Sequence, residues 1–142
     1  MATTVHVDIV SAEKDIFSGL AEMVTAPAEL GGLGIAPRHA PLISKLVAGE
    51  VCVKLSDTET QAFFVSGGIL EVQPNLVTIL ADTAMRAKDI DEAAALEAKA
   101  KAEELLKDKS NTLDYTAAQA QLSEAMLQLS TLSKFRKRGG LK

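Results

Sequence analysis

Residues 82–106 read DTAMRAKDIDEAAALEAKAKAEELL, and within this stretch the chain changes from a turn-rich to a helix-forming sequence. All four prolines lie at or before Pro74, and residues 75–138 contain neither proline nor glycine. From residue 89 onward Ala, Leu, Glu and Lys dominate, and these residues have the strongest helix propensities. The 142-residue chain is therefore predicted to have two parts, a β-domain over residues 1–86 and a helical domain over residues 87–142.

Upstream of the change, short apolar runs alternate with turn residues. Val5, Val7 and Ile9 alternate with other residues at the period-two spacing of a half-buried strand. Residues 17–19 (Phe-Ser-Gly) are predicted to close a turn, and residues 27–41 to form a long loop. Eight or more short strands at this spacing predict a β-sandwich or flattened barrel.

Downstream of the change, two helices are predicted. Asp89 is suited to cap the first helix, because Glu92 three residues later completes a capping box, and Asp114 is suited to cap the second. Apolar residues recur at helical spacing at Ala95, Ala98, Ala102 and Leu105, and then at Tyr115, Ala118, Leu122, Ala125, Leu129 and Leu132. One seam per helix and a short polar connection predict an antiparallel helical hairpin, which makes the fold class α+β. A seam made largely of alanine buries little apolar area, so the hairpin is expected to be held weakly.

Composition and charge exclude several classes of protein. An apolar fraction of 47% excludes a wholly disordered chain, and no apolar run approaches the roughly 20 residues that span a bilayer. Residues 134–142, the basic end, carry +5 within a net charge of −4, which leaves −9 on the rest of the chain. An acidic body does not favour nucleic acid as a partner. The basic end is suited to an acidic partner, or to solvent beside the negative end of a helix dipole.

No pattern of residues predicts catalysis or a metal centre. Residues 31–34 (Gly-Gly-Leu-Gly) lack the Gly-Lys-Ser/Thr continuation of a phosphate-binding loop, and Pro37 and Pro41 exclude the helix of a dinucleotide site. His6 and His39 have no further His or Cys at metal-ligand spacing. No Ser-His-Asp set is recognised. We therefore expect a binding protein with no cofactor and no metal.

Five short segments, taken in order, resemble the epsilon subunits of bacterial F-type ATP synthases. They are residues 10–13 (VSAE), 17–19 (FSG), 34–42 (GIAPRHAPL), 66–72 (SGGILEV) and 77–84 (VTILADTA). The resemblance extends over nearly the whole chain. It implies an N-terminal β-sandwich of about ten strands followed by a C-terminal helical hairpin.

The resemblance also implies a function. In this family the sandwich lies at the foot of the central stalk and contacts the gamma subunit and the membrane ring of c subunits. The hairpin either folds on the sandwich or extends along gamma to the alpha and beta subunits of the catalytic head, where it inhibits ATP hydrolysis. The chain is then expected to be a non-catalytic rotor subunit of a proton-translocating ATP synthase. It would couple rotation to ATP synthesis and lie at the cytoplasmic face of the bacterial inner membrane.

Two sets of contact residues follow from the same resemblance. Contact with the rotor ring is expected at Glu29, Leu30, Gly31, Gly32, Leu33 and His39. Family members often carry an acid beside Leu33, where this chain has Gly32. Contact with the catalytic head is expected at the cations of the basic end, namely Lys134, Arg136, Lys137 and Arg138.

A nucleotide site is the third expectation that the resemblance raises. Some relatives bind ATP through Ile/Leu-Asp-x-x-Arg-Ala at the start of the first helix. This chain matches the motif at Ile90 and Asp91 but has Ala94 at the arginine position. Alanine cannot donate charged hydrogen bonds to a phosphate, so tight ATP binding is not expected.

The residues alone leave a second function open, which is a free-standing β-sandwich adaptor with a regulatory pair of helices. An exposed apolar face on the sandwich would favour the rotor subunit, because stable docking needs such a patch. A closed polar sandwich with one deep pocket would favour the adaptor.

Overall fold

The computed structural model describes residues 3–107 and 112–137, and the chain divides after Ala87 into two compact units. The described part of the first unit contains ten strands: β1 (Val5–Ser11), β2 (Asp15–Ala21), β3 (Met23–Ala28), β4 (Gly31–Ile35), β5 (Leu42–Leu46), β6 (Gly49–Lys54), β7 (Thr60–Val65), β8 (Gly68–Gln73), β9 (Leu76–Ala81) and β10 (Ala84–Arg86). A 3-10 turn at Ala87–Asp89 leads to α1 (Glu92–Leu106) and α2 (Thr112–Lys137).

The strands form one sheet that curls until its ends nearly meet. Their hydrogen-bonded order is β10-β7-β6-β3-β5-β8-β9-β1-β2, and β4 pairs with β3 beside this path. Neighbouring strands are antiparallel except β1 and β9, which run parallel. The predicted fold class is confirmed, since a nearly closed sandwich of ten strands precedes two helices.

The inward face of the curled sheet forms the core. Val5, Val7 and Ile9 are buried, while His6 and Asp8 between them are partly exposed, so the alternation predicted for β1 is confirmed. Further fully buried side chains come from neighbouring strands and include Val51, Val53, Phe63, Val65, Leu70, Val77 and Ile79.

Arg86 links β10 to β2, the two strands at opposite ends of the sheet. Its Nη1 donates to Gln61 Oε1 on β7 at 2.8 Å, and its Nη2 donates to the carbonyl oxygen of Ile16 on β2 at 3.0 Å. The guanidinium carbon lies 5.6 Å from the centre of the Phe63 ring. Phe17 on β2 meets Phe63 edge to face, with 5.6 Å between ring centres. These contacts close the sheet with side chains where no backbone ladder runs between β10 and β2.

Two predictions about turns are wrong. Residues 17–19 lie inside β2, where Phe17 pairs with Ile9 and Gly19 with Val7, rather than in a turn. Residues 27–41 are not one loop, because they contain the end of β3 and all of β4, which pair from Val24–Ile35 to Ala28–Gly31. Ladder hydrogen bonds between neighbouring strands outweigh the loop-like composition of both segments.

The turn between β7 and β8 accepts glycine only. Gly67 and Gly68 have φ angles of 129° and 145°, a region that side chains with a Cβ rarely occupy. A Cβ built on Gly68 would also overlap the carbonyl oxygen of Leu80 on β9. The close approach of β8 to β9 therefore depends on glycine at position 68.

The two helices pack antiparallel as a hairpin. The predicted seam of α2 is confirmed, because Ala118, Ala125 and Leu132 are buried and the intervening seam residues are half-buried. In α1, Ala95 and Ala102 are buried, but Ala98 and Leu105 are exposed, so half of that seam is wrong.

Both predicted helix caps are also corrected. Asp91, not Asp89, caps α1, because its backbone is extended and its Oδ1 accepts from the backbone N–H of Ala94 at 3.1 Å. Asp89 instead ends the preceding 3-10 turn. The second helix already begins at Thr112, so Asp114 lies inside α2 and is not its cap. Neither α1 nor α2, over its described residues, combines the length and apolar character of a membrane-spanning helix.

Candidate functional site

The outer face of the sheet carries exposed apolar side chains at one corner. Across β1, β9 and β8, Val10 pairs with Leu80 and Leu80 with Ile69, so the three side chains lie in one row. Ile43 on β5 lies diagonally beside Ile69, since Lys45 is the direct partner of Ile69. Ile43 is 74% exposed, and Ile69 and Leu80 are each 49% exposed. We call Val10, Ile43, Ile69 and Leu80 the apolar corner. Adjacent exposed apolar side chains of this kind mark a contact surface.

A shallow depression of about 580 Å³ borders the apolar corner. Ser66 and Thr83 are hydrogen-bonded at its rim: the backbone N–H and the hydroxyl group of Thr83 donate to Ser66 Oγ, at 2.9 and 2.8 Å. The backbone N–H of Asp82 donates to the carbonyl oxygen of Gly67 at 2.9 Å. The depression is lined by Ile43, Ser44, Lys45, Leu46, Ser66, Gly67, Gly68, Ile69 and Asp82. Because Ile43 and Ile69 of the apolar corner belong to this lining, the depression extends the same contact surface.

The expected rotor-ring residues lie at two separate places. Glu29 and Leu30 form the tip of the β3–β4 hairpin, and Gly31, with φ 127°, begins the return strand. Leu30 is fully exposed, while the backbone N–H of Glu29 donates to the carbonyl oxygen of Lys45 at 3.0 Å. Gly32 and Leu33 follow within β4 and face Pro27 and Ala26 of β3.

His39 lies beyond the opposite end of β4. Its backbone N–H donates to the carbonyl oxygen of Ala36 at 3.2 Å, and its Nδ1 lies 2.7 Å from the carbonyl oxygen of Ala40. The tip precedes β4 and His39 follows it, so the length of this strand separates them. At a rise of about 3.3 Å per residue, that length is about 13 Å. The structure does not bring His39 to the hairpin tip.

The turn before His39 is strained at Arg38. Arg38 has a φ of 64° and is the one non-glycine residue with a positive φ among the described residues. Its backbone N–H donates to the carbonyl oxygen of Pro74 at 2.9 Å, which ties the turn to the β8–β9 connection. Pro37 precedes it, as in a type II turn, whose third position normally holds glycine.

The expected nucleotide residues occupy the start of α1. Ile90 is buried, and the Asp91 carboxylate is used as the helix cap. Ala94 supplies the capped backbone N–H and no charged group. The local geometry of Asp91 therefore matches a structural role.

The basic end meets an acid within the helical unit. Lys134, Arg136 and Lys137 lie in the last turn of α2, while Arg138 lies outside the described residues. Arg136 Nη2 donates to Glu92 Oε2 at 2.7 Å. This hydrogen bond, and next the positive charge of Arg136, lower the pKa of Glu92. The same hydrogen bond raises the pKa of Arg136.

A Ser-His-Asp group, which the sequence did not reveal, lies on the outer face of β1 and β2. His6 Nε2 is 2.9 Å from Asp8 Oδ1, and Ser18 Oγ donates to the same oxygen at 2.7 Å. Ser18 and Asp8 are register partners, and period-two spacing places His6 beside Asp8, so strand pairing alone explains the cluster. His6 Nε2 also lies 3.2 Å from Ser18 Oγ. Because the single hydroxyl hydrogen of Ser18 is donated to Asp8, the imidazole does not accept it, and the hydroxyl is not activated as a nucleophile.

Two domain descriptions match consecutive parts of the chain. Residues 4–87 match "ATP synthase, Delta/Epsilon chain, beta-sandwich domain", and residues 88–133 match "ATP synthase, Delta/Epsilon chain, long alpha-helix domain". The chain is 58% identical to the ATP synthase epsilon chain of Nitrosococcus oceani, over 99% of this chain and 100% of that protein. It is 63% identical to ATP synthase epsilon chain 1 of Methylococcus capsulatus, over 96% of this chain and 98% of that protein.

Solved structures share the fold at much lower sequence identity. A chain of the Euglena gracilis mitochondrial ATP synthase (OSCP/F1/c-ring) matches with a TM-score of 0.70 and 15% identity, over 94% of this chain and 80% of that chain. A chain of the Tetrahymena thermophila mitochondrial ATP synthase (central stalk and c-ring) matches with a TM-score of 0.59 and 16% identity, over 92% of this chain and 97% of that chain.

Proposed function

The chain belongs to the ATP synthase epsilon chain family, and on this premise we propose that it links the gamma subunit to the c-ring as a rotor subunit of the central stalk. In this proposal the β-unit docks on the stalk, and the hairpin of α1 and α2 is a regulatory arm that inhibits ATP hydrolysis when it extends to the alpha and beta subunits. The chain is a stalk subunit rather than a catalytic one. It works at the cytoplasmic face of the bacterial inner membrane as part of the assembled complex.

The apolar corner is the observation that carries the proposal. Three of its side chains are about half exposed or more, although they lie next to one another on a rigid sheet. A free-standing adaptor would gain nothing from that exposure, whereas a permanently docked subunit covers it. The neighbouring depression is shallow, so it does not favour the adaptor, which needs an enclosed ligand site. We therefore assign the apolar corner to the gamma subunit.

The tip of the β3–β4 hairpin is the proposed contact with the c-ring. Leu30 is fully exposed at a tight turn, and Glu29 beside it supplies a carboxylate. The c-ring contact is therefore assigned to Glu29, Leu30 and Gly31, with Gly32 and Leu33 supporting the tip. His39 is too far along the sheet to belong to this tip and is assigned to a separate part of the docking surface.

Nucleotide binding is not part of the proposed function. Asp91 is engaged as the cap of α1, and Ala94 offers a phosphate no cation. Ile90 and Asp91 are accordingly proposed to be structural residues at the start of the arm.

Replacing one apolar side chain by a charge tests the docking surface. We expect Ile69→Glu to weaken binding of the full chain to the purified gamma subunit at least about tenfold, because a carboxylate would be buried in an apolar contact. Isothermal titration calorimetry measures the affinity, and circular dichroism checks that the variant is folded. The matched control is Leu105→Glu, which replaces a similarly exposed leucine on α1. Unchanged affinity of a folded Ile69→Glu variant would exclude the apolar corner as the gamma contact.

A further inference from the structure

One ion pair joins the two helices at the open end of the hairpin. Glu92 lies in the first turn of α1 and Arg136 in the last turn of α2, and their side chains meet at 2.7 Å. The other described ion pairs of the helices, Lys99–Glu103 and Lys101–Glu97, each lie within α1. We propose that the Glu92–Arg136 pair, which we call the clasp, holds the arm closed and must open before Arg136 can contact the catalytic head. The role in regulation rests on the proposed function, whereas the clasp itself does not.

The seam between the helices buries little apolar area, so a single ion pair contributes an appreciable share of the stability of the hairpin. Its buried residues are mostly alanines, at positions 95, 102, 118 and 125, and alanine contributes few contact atoms. The chain connects α1 to α2 at one end of the hairpin only, from the last turn of α1 to the first turn of α2. The clasp acts at the far end, where nothing covalent keeps the helices together.

Electrostatics favour the pair at this place. In an antiparallel hairpin the positive end of the α1 dipole lies beside the negative end of the α2 dipole, and each end carries the favourable side-chain charge. The lowered pKa of Glu92 means that the clasp stabilises the folded hairpin above the ordinary carboxyl pKa. That stabilisation is lost as the pH falls through the lower folded-state pKa. At neutral pH the clasp is fully charged.

The clasp reduces the electrostatic stabilisation that the basic end gains when the arm extends to the catalytic head. Arg136 must leave Glu92 before it pairs with an acidic group of the catalytic head, so it exchanges one carboxylate for another. Lys134 and Lys137 have no ion-pair partner in the described part of the chain and lose nothing on extension. Glu92 would therefore oppose inhibition, although it lies on the same arm that inhibits.

The first test measures the clasp in the isolated full chain. We expect Glu92→Gln to raise amide hydrogen exchange in the last turn of α2 by about two- to fivefold, the range for loss of an exposed pair. Arg136→Gln should do the same and should return the pKa of Glu92, followed by carboxyl NMR, to its ordinary value. Glu97→Gln is the control, because it breaks an ion pair that lies within α1 and does not join the two helices. Equal exchange in Glu92→Gln and Glu97→Gln would overturn the clasp.

The second test measures regulation in the assembled ATP synthase. We expect Glu92→Gln to lower ATP hydrolysis about two- to fivefold, because the opened arm extends more often. Arg136→Gln should not lower it, because this change also removes a cation from the head contact. The double variant Glu92→Arg with Arg136→Glu should restore slow amide exchange only in part, because the pair is re-formed but both reversed charges oppose the helix dipoles. It should also give weaker inhibition than the wild-type chain, since the charge that faces the head is reversed.

The two tests separate the clasp from the proposed function. If deletion of residues 134–142 and all variants leave hydrolysis unchanged while amide exchange responds as expected, the clasp stands and the inhibitory role of the arm fails. If the deletion raises hydrolysis but Glu92→Gln leaves it unchanged, the arm inhibits and the clasp does not regulate it.

Discussion

At the scale of single residues, Arg38 occupies a conformation that glycine adopts without strain. Its φ of 64° and the hydrogen bond from His39 N–H to the Ala36 carbonyl oxygen define a tight turn. A side chain with a Cβ costs roughly 1 kcal/mol there. No hydrogen bond or ion pair from the Arg38 side chain to another described residue offsets this cost.

We therefore expect Arg38→Gly to raise the free energy of unfolding by up to about 1 kcal/mol, since relief of strain exceeds the added freedom of the unfolded chain. Urea denaturation followed by circular dichroism measures the change. Arg38→Ala is the matched control and should bring no gain, because it keeps the Cβ. A loss of stability in Arg38→Gly would show that the guanidinium makes a stabilising contact.

The residues of the proposed site differ in how far the sequence predicts them. Leu30 and Glu29 stand beside a glycine pair, a pattern that marks an exposed turn. The apolar corner was not predicted, because Val10, Ile43, Ile69 and Leu80 lie far apart in the chain and meet only through strand register. The Glu92–Arg136 pair was missed for the same reason, since its partners are 44 residues apart.

At the scale of elements, regular patterns predicted structure where residue types differ clearly. The period-two alternation of β1 and the leucine-containing seam of α2 were both correct. The seam of α1 was half wrong, because so many positions there are alanine that periodicity does not identify the buried ones. Strand β4 was missed because a Gly-Gly-Leu-Gly sequence has low β propensity, and its pairing with β3 decides its structure.

The Arg86 side chain closes the sheet between β10 and β2, so its removal should lower the stability of the whole β-unit. We expect Arg86→Met to lower the free energy of unfolding by about 1–3 kcal/mol, because two charge-assisted hydrogen bonds and the contact with Phe63 are lost. Arg86→Lys should give an intermediate loss, since one ammonium group cannot span both acceptors. Thermal unfolding of the three proteins checks the order, and equal stabilities would contradict this account.

At the scale of the whole molecule, the two units differ in the packing that stabilises each of them. The β-unit has a continuous core of large side chains, whereas the hairpin has a thin alanine-rich seam. The change in composition along the chain predicted two parts that divide after residue 86, and the two compact units divide after Ala87.

Two truncated chains test which residues complete the β-unit. A chain ending at Asp89 keeps β10 and Arg86 and should fold and bind gamma within about threefold of the full chain, since the apolar corner is intact. A chain ending at Thr83 should lose at least about 2 kcal/mol of stability, because the closure of the sheet is removed. Calorimetry and gamma binding measure both. If the chain ending at Asp89 is folded but does not bind gamma, the helices take part in docking.

The parallel pairing of β1 with β9 sets the order of events during synthesis on the ribosome. His6 pairs with Leu76 and Ser11 with Ala81, so the first strand waits for a partner made roughly 70 residues later. At about 5–20 residues per second, that interval is about 4–14 s. Throughout it one edge of β1 is unpaired, in a nascent chain whose remaining strands are still being added. The sheet therefore closes only late in translation, whereas the helical hairpin, whose contacts are closer in sequence, forms within moments of its release.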